Sequence, residues 1–442
     1  MESLPLSFFS IISLLVLAVV YFFLITERLN KVIVSVLGAT FLVVMQVFKT
    51  ASHSSQETAF EFISHNLDIL GFVVGMMVLI GIVRESGLFE AIAIWLVTKV
   101  KGKPIPLLII IAYLTLAMTA LFSNIPTILI IVPIVLVLIK ELKLPFLPFF
   151  FTVVVMANIG GAMTPISDPT TYYQAKTVGL SFGEVLGNSG FIVLILSVVS
   201  LSYTLLLFRK QLAAVNVETD AVSLFDPGAA IKNKRVLYRG VPILLGAILL
   251  MVLKDQVATL TGLTLDNATI TIGASFLCML IFHREPKKIF KHLIDWEIIF
   301  FFMGLFIVVG ALEFTKLIEL LAEGLVAASG GNRTVLTFLV TVGSGVLSTF
   351  IDNVPYNITM VGAIQAMEKS GVLVYPLWWA LNLGTSIGGA GSPIAAACNV
   401  IAFGQAAKEG HHDSFFGYLK VALPLVIINS LVAFGMIAWW YL

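Results

Sequence analysis

Residues 348–360 read STFIDNVPYNITM and place an aspartate, two asparagines and a proline in a strongly apolar chain. An aspartate at the centre of a membrane helix costs about 2.5–3.5 kcal/mol on insertion scales, so Asp352 needs a polar cavity or a partner. Pro355 removes a backbone donor, and the carbonyl that it frees needs another partner. The stretch therefore predicts a helix break that faces water or an ion at membrane depth.

The composition of the whole chain is that of a membrane protein. Of its 442 residues 59% are hydrophobic and 12% are charged, and the mean hydropathy is +1.04. A soluble protein of this length has too little interior to bury so much apolar surface. Apolar runs of about 20 residues recur along the chain, and the first is too long for a signal peptide. We predict an all-α polytopic membrane protein that retains this first span.

Several other classes of protein are disfavoured by the same counts. The net charge of +1 offers no basic surface to a nucleic acid partner. The only cysteines, Cys278 and Cys398, predict neither a disulfide framework nor a zinc site. We expect no metal site and no cofactor, only a coupling ion, H⁺ or Na⁺.

The charged loops between the apolar segments predict the orientation of the chain. Cytoplasmic loops carry an excess of lysine and arginine, and one alternation puts both termini outside and a linker, 209–239, in the cytoplasm. The apolar segments are 6–26, 31–48, 67–83, 104–139, 145–185, 190–208, 240–256, 268–283, 296–312, 334–368, 372–404 and 418–441. Segment 104–139 begins and ends on the cytoplasmic side, and segment 334–368 begins and ends outside. The sequence therefore predicts two hairpins that enter the membrane from opposite faces.

Two pairs of similar motifs indicate an internal duplication. TALFSNIPTILI at 119–130 parallels STFIDNVPYNIT at 348–359, and ANIGGAMTPISDP at 157–169 parallels LNLGTSIGGAGSP at 381–393. Matching Asn124 with Asn353 gives an offset of 229, and matching Asn158 with Asn382 gives 224. Amphipathic helices are also predicted in corresponding places, within 87–99 and 313–328.

Five crossings and one hairpin in each half make the two copies inverted. The predicted repeats are 1–208, with hairpin 104–139 and broken helix 145–185, and 240–442, with hairpin 334–368 and broken helix 372–404. Inverted repeats with broken helices are typical of secondary transporters, whose site lies at the midplane.

The four breaks supply the predicted binding residues. Helix ends expose backbone dipoles, and Ser, Thr and Asn side chains add neutral oxygens suited to a small ion. Small residues and prolines at helix contacts are the alternative explanation. The predicted substrate- and ion-binding residues are Ser123, Asn124, Pro126, Thr127, Asn158, Gly160, Gly161, Thr164, Ser167, Asp168, Asp352, Asn353, Pro355, Asn382, Gly384, Thr385, Ser386, Gly388 and Ser392.

Asp168 and Asp352 are the predicted coupling groups. A bound cation favours the charged carboxylate and burial disfavours it, so such a group can exchange a proton for a cation. The alternative for each is a helix N-cap, and Asp168 precedes a proline suited to the first helical position. Both roles are compatible with one residue.

At these residues the chain resembles the ion-transporter superfamily, which includes arsenite efflux permeases, NhaD-type sodium/proton antiporters, the P protein, and citrate and dicarboxylate carriers. The motifs IDNVPYNITM, WWALNLGTSIGGAG and NIGGAMTPISDPTT carry the resemblance. It implies a homodimer with a fixed scaffold and a mobile domain that moves as an elevator. Ser123 departs from the aspartate of many relatives, and Thr170 and Thr171 depart from the Pro-Asn of the arsenite branch.

Several transport functions follow from this as hypotheses, and we expect no enzymatic activity. Foremost is proton-coupled export of a small cation such as Na⁺ by alternating access, in a bacterial inner membrane. Proton-coupled arsenite or antimonite efflux and sodium-coupled dicarboxylate or citrate transport are the alternatives. An intramembrane aspartyl protease would need a GxGD motif, whereas Ser167 precedes Asp168 here.

Overall fold

The computed structural model describes residues 7–26, 28–50, 53–100, 103–215, 226–411 and 414–442. The middle of the predicted linker, 216–225, and the extreme N-terminus lie outside this part of the chain. All regular structure in the described residues is helical, which confirms the all-α class.

The helices are numbered here in chain order. The first half contains α1 (Phe8–Thr26), α2 (Lys31–Val44), α3 (Ser55–Ser64), α4 (Leu67–Arg84), α5 (Leu88–Lys99), α6 (Pro104–Phe122), α7 (Asn124–Glu141), α8 (Phe146–Gly160), α9 (Pro169–Val178), α10 (Phe182–Val185), a π-helical turn (Leu186–Gly190), α11 (Phe191–Leu207) and α12 (Arg209–Ala213). The second half contains α13 (Lys234–Thr261), α14 (Asn267–Ile281), α15 (Pro286–Leu293), α16 (Trp296–Phe314), α17 (Leu317–Ala328), α18 (Arg333–Leu347), α19 (Asn353–Lys369), α20 (Tyr375–Gly389), α21 (Ala397–Lys408) and α22 (Phe415–Tyr441).

Seven helices in the described residues are long and apolar enough to cross a membrane, and a bent pair, α17 with α18, could supply an eighth. Other predicted spans form shorter apolar helices, among them α2, α8 and α14. The short helices α8 and α9 cover the predicted broken span 145–185, and α20 and α21 cover 372–404. The polytopic membrane class is thus confirmed.

Each predicted hairpin consists of two helices joined at a polar tip. The first joins α6 to α7 through Ser123, which has a positive φ of 76°. The second joins α18 to α19 through residues 348–352, where Asp352 caps α19 by accepting the backbone N–H of Val354 at 3.0 Å. Side-chain capping therefore supports the new helix at the second tip, whereas the Ser123 side chain makes no capping hydrogen bond to α7.

The helix starts repeat along the chain. Helices α4, α5, α6, α7 and α8 begin at residues 67, 88, 104, 124 and 146, and α16 to α20 begin 229 residues later, at 296, 317, 333, 353 and 375. This register covers both predicted amphipathic helices, now α5 and α17. It supports the predicted duplication, whose inverted orientation stays a prediction.

The register differs from the prediction after α8. Helix α9 begins at Pro169 and α21 at Ala397, an offset of 228. Thr164-Pro165-Ile166-Ser167 thus corresponds to Ser392-Pro393-Ile394-Ala395, and Asn158 does not correspond to Asn382 as the offset of 224 had it. The offset of 224 comes from the similarity of the motifs NIGG at 158–161 and NLGT at 382–385. The predicted linker is also shorter, because α13 begins at residue 234.

Glycines allow the close approach of helices, both between the two halves and within the second half. Gly75 of α4 faces α14, where a Cβ atom would lie 2.5 Å from Thr271 Oγ1 and 2.7 Å from its carbonyl carbon. Gly384 and Gly388 of α20 likewise face the backbone of α18, with 2.6 Å to the carbonyl oxygens of Thr341 and Gly345. Small residues at such contacts are a common basis of helix association in membranes.

We expect Gly75→Ala to lower the melting temperature of the detergent-purified protein. The added methyl group meets backbone, which cannot rotate away, and overpacking of this kind costs about 1–3 kcal/mol. Gly246→Ala is the matched control, because Gly246 also lies inside a helix and no heavy atom is within 4 Å of its Cβ position. An equal loss in both variants would contradict the contact.

Candidate functional site

The two hairpin tips and two helix starts meet at one small cavity of about 50 Å³. Helices α7, α9, α19 and α21 all begin at its wall. Six of the predicted site residues line it: Ser123, Asn124, Pro126, Asp168, Asp352 and Asn353. The chain places the two tips more than two hundred residues apart, and the fold brings them to a common wall.

Each tip is fastened to the loop of a neighbouring broken helix. The backbone N–H of Asn124 donates to the carbonyl oxygen of Ser167 at 3.1 Å, and that of Asn353 donates to the carbonyl oxygen of Ala395 at 3.0 Å. The two bonds occupy corresponding positions, since the offsets are 229 and 228 residues. The tips are therefore held in equivalent ways.

The two carboxylates have different surroundings. Asp168 caps α9, and its Oδ1 accepts the backbone N–H of Thr170 at 2.8 Å and the Thr170 hydroxyl at 2.6 Å. Its Oδ2 accepts the side-chain amide of Asn124. Asp352 Oδ1 accepts only the backbone N–H of Val354, and nothing in the described part of the chain donates to its Oδ2. Asp352 is therefore the freer ligand.

The amide of Asn353 is also available. Its side chain is 3% exposed and makes no hydrogen bond to another described residue. Because buried polar groups are normally hydrogen-bonded, the position next to Asp352 favours a partner from the cavity. Asn353 and the Asp352 Oδ2 atom together offer two oxygens to one ion.

The halves carry their charge at different places. The register matches Asp352 with Ser123 at the hairpin tips, and Asp168 with Ala396 at the N-caps of α9 and α21. Ala396 has no side-chain oxygen, so the first turn of α21 lacks the cap that Asp168 gives to α9. Each half therefore contributes one carboxylate, from a different element.

Electrostatically, the cavity combines four helix N-termini with two carboxylates. A helix N-terminus carries about half a positive charge, so these ends offset part of the negative charge that two ionised carboxylates would bring. The only lysine or arginine at the wall, among the described residues, is Lys31 at the start of α2. Its Nζ atom lies 5.2 Å from the centroid of the Phe301 ring.

The sequence does not predict much of this wall. Lys31 follows the first apolar segment and indicates only a cytoplasmic loop, and no motif around it predicts a place at the site. The remaining lining residues are mostly apolar and come from α4, α16 and the breaks: Phe72, Val73, Met76, Met77, Ile125, Pro169, Ile298, Phe301, Phe302, Val354, Ala397 and Cys398. They make the wall largely apolar around Asp168, which is 3% exposed, whereas Asp352 is partly exposed.

A second layer of asparagines connects the halves behind the cavity. Asn158 of α8 donates to the Asn399 side-chain oxygen at 2.7 Å. Asn399 in turn donates to the carbonyl oxygens of Gly389 and Ser392, both at 2.7 Å. The Cys398 thiol lies 3.4 Å from the same Asn399 oxygen. This bridge, with Asn399 absent from the predicted set, holds the break between α20 and α21.

Asn382 makes a similar bridge in the other direction. Its side-chain nitrogen donates to the Ala162 carbonyl oxygen at 3.1 Å and to the Ser189 hydroxyl at 2.9 Å. The Thr171 hydroxyl lies 2.8 Å from its side-chain oxygen. Asn158 and Asn382 thus stabilise the breaks and do not line the cavity.

The other predicted site residues also lie outside the cavity wall. Hydroxyl groups bond to nearby carbonyls: Thr127 to Ser123, Thr164 to Ala120, Ser167 to Gly161 and Thr164, Thr385 to Leu381, and Ser392 to Thr349. Gly160, Gly161, Gly384 and Gly388 lie at close helix or loop contacts. The Ser386 hydroxyl is buried without a partner in the described residues, and the Pro355 carbonyl accepts from Thr359. Their predicted role in binding stays a prediction.

Comparison with known proteins assigns the chain to a family. A family model described as citrate transporter (CitMHS) matches residues 21–384. The chain belongs to this citrate transporter family. Membership confirms the predicted resemblance to the ion-transporter superfamily and makes the protein an integral membrane protein and a secondary transporter.

Two of three individual relatives of this chain are named as transporters. An uncharacterized transporter of Mycobacterium tuberculosis is 29% identical over 433 residues, which cover 96% of this chain and 97% of that protein. An uncharacterized transporter of Synechocystis is 24% identical over 450 residues, 97% of each chain. The human P protein is 22% identical over 493 residues, 94% of this chain and 58% of that protein. These similarities favour transport over catalysis.

Proposed function

We propose that this citrate-transporter family member exchanges a small cation such as Na⁺ for protons across the inner membrane, with the ion bound between the hairpin tips. The observation that carries the proposal is the pairing of two carboxylates at one small cavity, where Asp168 is buried and Asp352 is partly exposed. One of them has an unused oxygen beside an unused amide. A carboxylate of this kind holds either a proton or a cation, as exchange requires.

The size of the cavity supports a small ion. Sites for organic ligands usually measure about 300–1,000 Å³, and this cavity measures about 50 Å³. It has room for a small ion with a few water molecules. Two inverted repeats moving about this ion would give the two faces alternating access to it.

Citrate is the second candidate substrate. The name of the family includes it, and the four helix N-termini with Lys31 favour an anion in the same place. The two carboxylates oppose an anion, and the cavity would have to widen. Arsenite finds weaker support, since Cys398 is the only sulfhydryl at the wall among the described residues.

The experiment is a transport assay in proteoliposomes with an acidic interior and a pH-sensitive dye. We expect Na⁺ or Li⁺ added outside to raise the internal pH in a saturable way, and citrate, succinate and arsenite to leave it unchanged. Empty liposomes control for leakage. Saturable uptake of labelled citrate without any cation-dependent pH change would replace the cation with citrate as the substrate.

A further inference from the structure

A second polar cavity, of about 370 Å³, lies at the opposite end of α9 from the central one. It is bordered by the start of α4, the end of α9, the end of α13 and the start of α14. The charge pattern of the loops predicts that all four of these helix ends face outward. We call it the outer cavity; its charged lining residues are Asp68, Lys176, Lys254, Asp255 and Asp266.

Two stacked aromatic rings separate the outer cavity from the central one. Phe72 of α4 lines the central cavity, and Tyr172 of α9 lines the outer cavity. Their ring centroids are 4.2 Å apart at an interplanar angle of 29°. Both side chains are buried, at 2% and 4% exposure. An ion moving between the cavities would have to pass this stack.

An ion pair closes the same boundary one turn further out. The Lys176 ammonium group near the end of α9 contacts the Asp68 carboxylate at 2.5 Å and the His65 carbonyl oxygen at 2.8 Å. The side chains are 33% and 25% exposed, so water reaches the pair. Partly exposed pairs contribute only about 0–1 kcal/mol, which makes this contact easy to open.

The wall of the outer cavity suits a cation. Its three carboxylates outnumber its two lysines, and carboxylates at an opening concentrate cations there. Asn267, which is 5% exposed, also lies at this wall, and its side-chain oxygen has no partner in the described residues. A cation entering the cavity would compete with Lys176 for Asp68.

We propose that the outer cavity is the external entrance for the transported ion, and that the Phe72–Tyr172 stack and the Lys176–Asp68 pair form its closed gate. Helix α9 links the two, because it begins at the Asp168 cap and carries both Tyr172 and Lys176. Displacement of Lys176 by the arriving cation frees the outer end of α9 and lets the rings part. The identity of the ion rests on the function proposed above; the gate does not.

The test measures access to the central cavity from outside. Ser123→Cys, in a background with Cys278→Ala and Cys398→Ala, reports on the cavity through its reaction with a membrane-impermeant thiol reagent added to right-side-out vesicles. We expect the reaction to be at least about tenfold faster when Phe72→Ala or Tyr172→Ala is added, because the partition is then incomplete.

The matched control is Phe338→Ala, which removes another aromatic contact, to Phe434, with centroids 5.2 Å apart and away from both cavities. Lys176→Gln is a second test that leaves the buried core intact, and it should also accelerate the reaction. Equal rates in the parent, Phe72→Ala, Tyr172→Ala and Lys176→Gln would overturn the gate. Because no substrate is added, this result is independent of whether the transported ion is a cation or citrate.

Discussion

Asp352→Asn should abolish proton-coupled exchange while the protein still inserts and purifies normally. The variant keeps an oxygen to cap α19, so the bond from the backbone N–H of Val354 can persist. It loses the group that alternates between proton and cation. Since a positioned proton-transfer group is worth about 10²–10⁴-fold in rate, we expect at least about a hundredfold slower pH change in the proteoliposome assay.

The matched control for this variant is Asp295→Asn. Asp295 is also a helix N-cap, accepting the backbone N–H of Glu297 at 3.0 Å, but its side chain is exposed and it does not itself line the cavity. Its replacement should leave the exchange unchanged. If the parent protein transported succinate or citrate and Asp352→Asn did so at the same rate, the carboxylate would have no role in coupling and the cation proposal would fail.

Asn124→Leu and Asn353→Leu should each eliminate transport. Leucine has nearly the size of asparagine but offers no oxygen to an ion, and in Asn124→Leu the Oδ2 atom of Asp168 also loses its donor. A buried acceptor left without a partner costs about 1–3 kcal/mol. The rate of cation-dependent pH change, at matched protein density, measures the effect.

Ile130→Leu is the control, and it lies in the same hairpin as Asn124. Ile130 is 2% exposed and lies in the apolar core, where a swap of equal volume is tolerated. Full transport by either asparagine variant, together with a folded protein, would remove the hairpin tips from the ion site.

The helix breaks were predictable because their causes are local. Proline, glycine and capping residues act on the backbone within a few positions, so the tips at Ser123 and Asp352 and the break before Pro169 could be read from the sequence. The same holds for α17, whose apolar residues follow the helical period, and α5 was predicted from its corresponding position before the first hairpin.

The cavity wall was less predictable because it depends on contacts between distant helices. Phe72 and Lys31 are ordinary in their local sequence, and only the packing of α2, α4 and α16 brings such residues to the tips. Asn158 and Asn382 show the opposite case. They are predicted as ligands because they are polar and lie near glycines. In the structure their side-chain amides form hydrogen bonds between the two halves.

The unequal placement of the carboxylates affects the resting balance of the transporter. If the two halves were chemically identical inverted repeats that exchanged their conformations, the inward-open and outward-open states would be related by a two-fold rotation and would have equal free energies. Here one half carries its carboxylate on the hairpin and the other on the N-cap of a broken helix, which removes that equality. We therefore expect the empty protein to favour opening to one side of the membrane, so that a voltage or a pH gradient would act on an equilibrium that is already biased.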